Sequence, residues 1–192
     1  PQAPVTAYVT ELASSGFGDA SVQQVMDMTT GIAFSEVYTD PKSDINAMRR
    51  AVGTAPPEPG SAPTSLLDYL TSVAKLGTHG AAFTYRTVNT DVLAWIIRRV
   101  TGQPFAQILS ERLWQPLGAQ EDAYMTVDRL GIEFAGGGLN TTLRDLTRFG
   151  EMMRNRGYFN GRQIVPAAVV DEIARGADPA KFPRETYPTL PG

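Results

Sequence analysis

The sequence predicts a mainly α-helical domain, and three features of the chain lead to this prediction. Apolar residues recur at three- and four-residue spacing through most of the chain, as they do on one face of a helix. Several of these stretches begin at a capping residue and end at glycine. Strand-like patterns are confined to residues 124–134 and 164–165. Because no internal repeat divides the chain, we expect residues 1–192 to form a single helical domain.

The first half of the chain carries two clear helix-start signals. Residues 5–12 have helical spacing of apolar side chains and predict an N-terminal helix. Ser21 with Gln24 has the pattern of a capping box, and Ser65 followed by Asp68 at the same three-residue separation can also cap a helix. Between these two helices, residues 54–63 are rich in proline, glycine and alanine, and they predict a flexible loop.

The second half of the chain predicts four helices, each from its own start or stop signal. The signals are Asn89 or Thr90 with Gly102, Phe105 with Pro116, Thr142 with Asp145, and Pro166 with Ile173. Trp95 and Trp114 lie at helical spacing in apolar surroundings, so both are predicted to be core residues.

Composition excludes several classes of protein. A net charge of −3 with scattered basic residues argues against a nucleic-acid partner. No apolar run approaches the ~18 residues of a membrane span. The chain has no cysteine and a single histidine, His79, which argues against thiolate or histidine-rich metal sites and against a Ser-His-Asp triad. We therefore expect chemistry that uses neither a metal nor a cofactor.

Four motifs follow one another along the chain in a specific order. They are Phe83-Thr84-Tyr85-Arg86-Thr87, Val100-Thr101-Gly102, Pro116-Leu117-Gly118, and Gly136-Gly137-Gly138 followed by Thr142 and Asp145-Leu146. This order resembles the β-lactamase-related serine hydrolases, which include class C β-lactamases, esterases and nylon-oligomer hydrolases. The resemblance covers most of residues 4–175. It implies the helical subdomain of the β-lactamase/transpeptidase-like fold, with few short strands.

The resemblance also implies a reaction and its residues. In that family, the serine of a Ser-x-x-Lys box attacks an amide or ester carbonyl and forms an acyl-enzyme, while the lysine and the motif tyrosine relay the proton. Tyr85 stands at the position of that tyrosine and is the implied catalytic residue. Thr87 and Asn89 are implied substrate-binding residues of the same motif. A small-molecule amide or ester is the expected substrate.

A second tyrosine, Tyr38, lies in a segment similar to a substrate-covering loop of nylon-oligomer hydrolases. Glu36, Asp40 and Pro41 keep the pattern of that loop, and Tyr38 is therefore a candidate substrate-binding residue. The same hydrolases place an acid eleven residues later to hold the amino group of the substrate. Arg49 occupies that position here, which argues against an amino-terminated oligomer.

The nucleophile box is expected outside this chain. By the resemblance it precedes residue 1, and the third family motif follows Gly192, so the chain is expected to be a fragment of a larger α+β hydrolase that lacks most of the catalytic sheet. Ser72-Val73-Ala74-Lys75 has the right letters, but Ser72 is predicted to lie at the end of a helix, where the dipole disfavours developing negative charge. We expect the missing sheet to leave apolar helix faces exposed and to favour self-association.

Two alternatives remain open at this stage. The chain could be a catalytically inactive binding module on the same scaffold, or part of a penicillin-binding transpeptidase, in which an amine replaces water as the acyl acceptor. The sequence leaves the compartment open between bacterial cytoplasm and periplasm.

Overall fold

Helices dominate the computed structural model, which describes residues 1–57, 59–60 and 64–186. The α-helices, in chain order, are α1 Val22–Met26, α2 Asp44–Val52, α3 Leu66–Ser72, α4 Thr87–Thr101, α5 Phe105–Leu109, α6 Gln115–Leu117, α7 Leu143–Arg154 and α8 Ala167–Arg175. Short 3-10 helices cover Val5–Ala7, Thr10–Ser14 and Pro179–Lys181, and a π-helical turn covers Ser110–Trp114.

The sheet content of the described residues is small. Strand β1, Tyr124–Met125, pairs antiparallel with β2, Leu139–Asn140, and β3, Tyr158–Phe159, pairs antiparallel with β4, Arg162–Gln163. The prediction of a mainly α domain with few short strands is confirmed. The strand predicted at residues 164–165 is wrong by two positions, because the hairpin pairing ends at Gln163.

The helix caps form as the sequence predicts. The Ser21 hydroxyl accepts the Gln24 N–H at 3.2 Å, and the Gln24 side chain accepts the Ser21 N–H at 2.8 Å, which completes a capping box. Thr142 Oγ1 accepts the Asp145 N–H at 3.2 Å at the start of α7. These bonds satisfy N–H groups that have no partner within a helix.

The structure differs from the predicted helices in three places. Residues 5–12 form two short 3-10 helices instead of one continuous helix. Helix α4 begins at Thr87, before the predicted caps Asn89 and Thr90. Pro116 lies inside α6 because the π-helical turn before it places the proline in a first turn, where its missing N–H costs little.

The hydrophobic core lies between the N-terminal segment and helices α1 to α4. Its fully buried large side chains include Val5, Leu12, Phe17, Val25, Ile45, Met48, Leu66 and Leu70. Trp95 also belongs to this core, as predicted. Trp114 is only half-buried, and its indole N–H donates to the Glu121 carbonyl at 3.0 Å.

Several apolar side chains of the later helices lie outside this core. Leu143 on α7 is 80% exposed, and Leu146 and Ile173 are also exposed. The buried residues of α7 are Met152 and Asp145. Self-association through such exposed side chains stays a prediction.

The connection between α2 and α3 contains the predicted loop at residues 54–63. Residues 54–57 and 59–60 lie outside any helix or strand, whereas residues 58 and 61–63 lie outside the described part of the chain. The flexibility of this loop stays a prediction. None of the helices in the described residues is long and apolar enough to cross a membrane.

Replacing the cap of α3 tests the local stability of this region. The Ser65 hydroxyl accepts the Asp68 N–H at 2.9 Å, so Ser65→Ala is expected to lower the free energy of unfolding by about 1 kcal/mol. Ser72 is the exposed last residue of the same helix, and Ser72→Ala is expected to change it by less than about 0.5 kcal/mol. Urea unfolding followed by tryptophan fluorescence measures both. Equal effects of the two substitutions would contradict the capping role.

Candidate active site

Tyr85 lies in the extended segment that leads into α4. Two backbone hydrogen bonds hold this segment: Thr84 N–H donates to the Met28 carbonyl at 2.7 Å, and Phe83 N–H donates to the Lys181 carbonyl at 2.7 Å. The Phe83 and Phe182 rings pack with their centroids 5.4 Å apart. The backbone is thus anchored on both sides just before Tyr85, whose side chain is 44% exposed.

The carboxylate of Glu36 joins the candidate residues to one another. Glu36 Oε1 accepts the Thr87 N–H, and Oε2 accepts the Thr87 hydroxyl at 3.1 Å. The Tyr38 hydroxyl donates to the same Oε2 at 3.3 Å. Since Arg86, the N-cap residue of α4, makes no side-chain cap, Glu36 supplies an acceptor at the start of this helix from a distant segment.

Tyr38 faces solvent beside this cluster, with 57% of its surface exposed. Partial burial of its hydroxyl raises the pKa of Tyr38 above the usual value, and the charges of Glu36 and Tyr85 raise it further, while a hydrogen bond with Thr87 opposes them. The structure therefore brings Tyr38, Tyr85 and Thr87 into one electrostatic neighbourhood. At neutral pH Tyr38 is a protonated hydrogen-bond donor.

Thr87 and Asn89 lie inside the protein. Thr87 is 3% exposed, and Glu36 accepts both its N–H and its hydroxyl. Asn89 is fully buried: its Oδ1 accepts the Thr30 hydroxyl at 2.9 Å, and its Nδ2 contacts the Met28 sulfur at 3.3 Å. Their side chains already bind other protein groups on the inward face of α4, and contact of either residue with substrate stays a prediction.

Arg49 lies in the last turn of α2. It occupies the position at which nylon-oligomer hydrolases are expected to place an acid that holds the amino group of the substrate. Its guanidinium contacts Asn46 Oδ1 at 3.3 Å. Its positive charge remains unsuited to holding an ammonium group.

The sequence reasoning missed Asp91, which lies one turn after Thr87 on α4. Asp91 is 2% exposed, and its Oδ1 accepts the Gly136 N–H at 2.9 Å. Burial raises the pKa of Asp91 to about 7, and the charge of Glu36 adds to this, although the backbone amides of Gly136 and Ala135 oppose it. A polar residue on the apolar face of a helix was the only sequence signal that could have identified it.

The glycine at position 136 allows a loop to approach α4 closely. A Cβ atom on Gly136 would lie 2.4 Å from Thr87 Cγ2, whereas a Cβ atom on Gly137 would meet nothing closer than 3.7 Å. We expect Gly136→Ala to destabilise the protein by about 1–3 kcal/mol through this overlap. Gly137→Ala is the matched control and is expected to stay close to the parent. Thermal unfolding of both variants measures the difference, and similar melting temperatures would contradict the close approach.

The Ser72-Lys75 pair does not form a nucleophile box. Ser72 is the last residue of α3 and donates its hydroxyl to the Tyr69 carbonyl at 2.7 Å. Lys75 forms its ion pair with Asp19, away from Ser72. The rejection of this pair, made from its predicted position at a helix end, agrees with these contacts.

His79 has a local structural role. Its Nδ1 accepts the Gly31 N–H at 2.9 Å, and its Nε2 faces Asp19 Oδ1 at 3.1 Å. Both ring nitrogens are therefore occupied, which links the loop after α3 to the segment at Gly31. The described residues contain no group of three or more side chains placed to hold a metal ion.

Comparison with known proteins matches the chain to hydrolases of one family and one fold. The family model described as Beta-lactamase matches residues 1–189. A 6-aminohexanoate-dimer hydrolase from Paenarthrobacter ureafaciens is 42% identical over 176 residues, which are 92% of this chain and 44% of that protein.

Solved structures agree with this match. A Bacillus anthracis protein provisionally described as a 6-aminohexanoate-dimer hydrolase superimposes with a TM-score of 0.83 and 33% identity, over 94% of this chain and 47% of that one. A family VIII carboxylesterase shares the fold, with a TM-score of 0.66 and 19% identity over 91% of this chain and 54% of that one. The chain thus spans about half the length of the relatives that it matches.

Proposed function

Because the chain belongs to the beta-lactamase family, we propose that it is the helical part of a serine hydrolase that cleaves amide or ester bonds through an acyl-enzyme. One observation carries the proposal: Tyr38 donates its hydroxyl to Glu36, which also binds the start of α4, and Tyr85 lies close enough to affect the pKa of Tyr38. Such an arrangement offers two hydroxyl groups to a substrate at a rigid helix start.

Tyr85 is the proton-transfer residue of this proposal. The serine of a Ser-x-x-Lys box, in the part of the longer protein that this chain does not span, attacks the carbonyl carbon of the substrate. Its proton passes through the lysine and Tyr85 to the leaving nitrogen or oxygen, and the carbon–leaving-group bond breaks to give the acyl-enzyme. Water then attacks the acyl carbonyl and releases the serine with its proton restored.

Tyr38 is the substrate-contacting residue. Its raised pKa keeps its hydroxyl protonated, so it can donate a hydrogen bond to a carbonyl or amide group of the substrate. Thr87 acts through Glu36, since its hydroxyl is buried and already donated. The relatives, which are named for the 6-aminohexanoate dimer, suggest a linear amide as the substrate class. Arg49 argues against the free ammonium group that this dimer carries, so we propose a linear amide without an ammonium group at that position.

Hydrolysis by the isolated chain, compared with hydrolysis by the longer protein from the same reading frame, distinguishes this proposal from its alternatives. We expect the 192-residue chain alone to leave p-nitrophenyl esters and nitrocefin unchanged relative to buffer, because nucleophile, lysine and oxyanion donors act as a unit. The longer protein is expected to hydrolyse the esters.

Two outcomes would overturn this assignment. Hydrolysis by the 192-residue chain that disappears in Ser72→Ala would place the nucleophile at Ser72. A longer protein with no turnover of esters, nitrocefin or the linear amide would favour a binding module on this scaffold.

A further inference from the structure

Asp91 is a buried acid for which the proposed mechanism has no role. It is 2% exposed and lies on α4 among apolar side chains. Its Oδ1 accepts the Gly136 N–H, whereas its Oδ2 has no hydrogen-bond partner in the described residues. Aspartate is rarely buried in this way, and an unsatisfied buried oxygen carries a cost that calls for a compensating role.

The contacts of Gly136 indicate what that role is. A Cβ atom at this position would lie 2.4 Å from Thr87 Cγ2 and 3.2 Å from Asp91 Oδ2, so the loop touches both residues of α4 at once. The hydrogen bond from the Gly136 amide to Asp91 holds the loop in this contact. Thr87 is therefore fixed through its methyl group by Gly136 and through its polar atoms by Glu36.

We propose that Asp91 is a positioning residue whose carboxyl group fastens the Gly136 loop to α4 and thereby fixes Thr87, Glu36 and the two tyrosines relative to one another. The fastening of the loop does not depend on the proposed function. Only its consequence for catalysis rests on that function, in which Tyr85 and Tyr38 contact the substrate. Asp91 itself touches neither substrate nor nucleophile.

The surroundings of Asp91 favour its protonated form below about pH 7. Glu36, from the segment that packs against the start of α4, is the charged group that faces it, and no cation of the described residues pairs with it. Burial is the largest cause of its raised pKa, which lies at about 7. Above that pH, Asp91 on α4 and Glu36 on the segment beside it both carry negative charge, and their repulsion is expected to loosen the loop.

Hydrogen exchange on the chain tests the fastening without any assay of turnover. In Asp91→Ala, we expect the peptide spanning residues 134–139 to exchange at least tenfold faster than in the parent, while α8 stays unchanged. Asp91→Asn retains an oxygen acceptor for the Gly136 N–H and is expected to restore protection.

Asp145→Ala is the matched control. Asp145 is another buried aspartate, which accepts the Gln120 and Glu121 N–H groups at 3.0 and 3.2 Å. Its removal is expected to loosen residues 119–122 and to leave residues 134–139 protected. Unchanged exchange at residues 134–139 in Asp91→Ala would overturn the proposal.

A pH profile separates positioning from a purely structural role. With tyrosine labelled at 13Cζ, the signals of Tyr38 and Tyr85 are expected to move with a midpoint near pH 7 in the parent and to stay flat through that range in Asp91→Asn. Tyr158, on β3, serves as the internal reference.

The same pH dependence of the Tyr38 and Tyr85 signals in the parent and in Asp91→Asn would overturn the proposal, even if Asp91→Ala fails to fold. Because neither readout involves catalysis, failure of the hydrolase proposal leaves this test intact.

Discussion

Replacing Tyr85 with phenylalanine in the longer protein is expected to lower kcat for ester and amide hydrolysis by roughly 10²-fold or more. The substitution removes one hydroxyl group and leaves the ring, so the anchored backbone at Phe83 and Thr84 stays in place. Without that hydroxyl, the proton from the nucleophile has no relay to the leaving group. The steady-state kinetics of a p-nitrophenyl ester measure the loss.

Tyr158→Phe is the control for this substitution. Tyr158 is 51% exposed on β3 and is comparable to Tyr85 in exposure, but it lies in a different part of the fold. We expect its kcat and KM to match those of the parent. A Tyr85→Phe protein with parental kcat would show that the proton moves through another group, and the role proposed for Tyr85 would have to be abandoned.

Substituting Asp91 with asparagine is expected to change the dependence of stability on pH. In the folded chain the pKa of Asp91 is raised to about 7, compared with 3.8 for a free aspartate. Between these values the folded protein holds a proton that the unfolded chain has lost, so Asp91 makes the parent progressively less stable as pH rises from about 4 to about 7. At roughly 1.4 kcal/mol for each pH unit, the full effect is about 4 kcal/mol.

The difference in free energy of unfolding between Asp91→Asn and the parent isolates this effect. It is expected to shift in favour of the variant from pH 4 to pH 7 and to remain constant above pH 7, as measured by urea unfolding at each pH. Asp145→Asn is the opposite case, because backbone N–H groups, chiefly that of Gln120, lower the pKa of Asp145. The ionised Asp145 therefore stabilises the folded protein at neutral pH, and this stabilisation is lost as pH falls below about 4. A pH-independent difference for Asp91→Asn would show that Asp91 is ionised throughout.

Much of the fold follows from local sequence. The capping box at Ser21 and Gln24 and the caps at Ser65 and Thr142 were all predictable, because each bond joins residues three positions apart. The order of the motifs around Tyr85 likewise identified the family and the exposed tyrosine. The errors at residues 5–12 and at Pro116 concern the type of helix, which depends on packing against neighbours as well as on spacing.

The candidate site depends on contacts between distant parts of the chain. Asn89 has the residue type and the motif position of a substrate-binding side chain, but it is fully buried against Thr30 and Met28. Helical spacing places Asp91 on the apolar face of α4, but the partner of a polar side chain on that face depends on the segments that pack against the helix. The contacts of Glu36 with Thr87 and of Asp91 with Gly136 were not predicted for the same reason.

The sequence by itself determined that the chain is mainly helical, where most helices start, and that Tyr85 stands in a hydrolase motif. These properties depend on hydrogen bonds and apolar spacing within one or two helix turns. Only the tertiary structure decided that Glu36 binds Thr87 across 51 positions and that Asp91 binds Gly136 across 45. A carboxylate at either position could equally lie in water, and it becomes part of a site only when folding removes water and brings these backbone N–H groups to it.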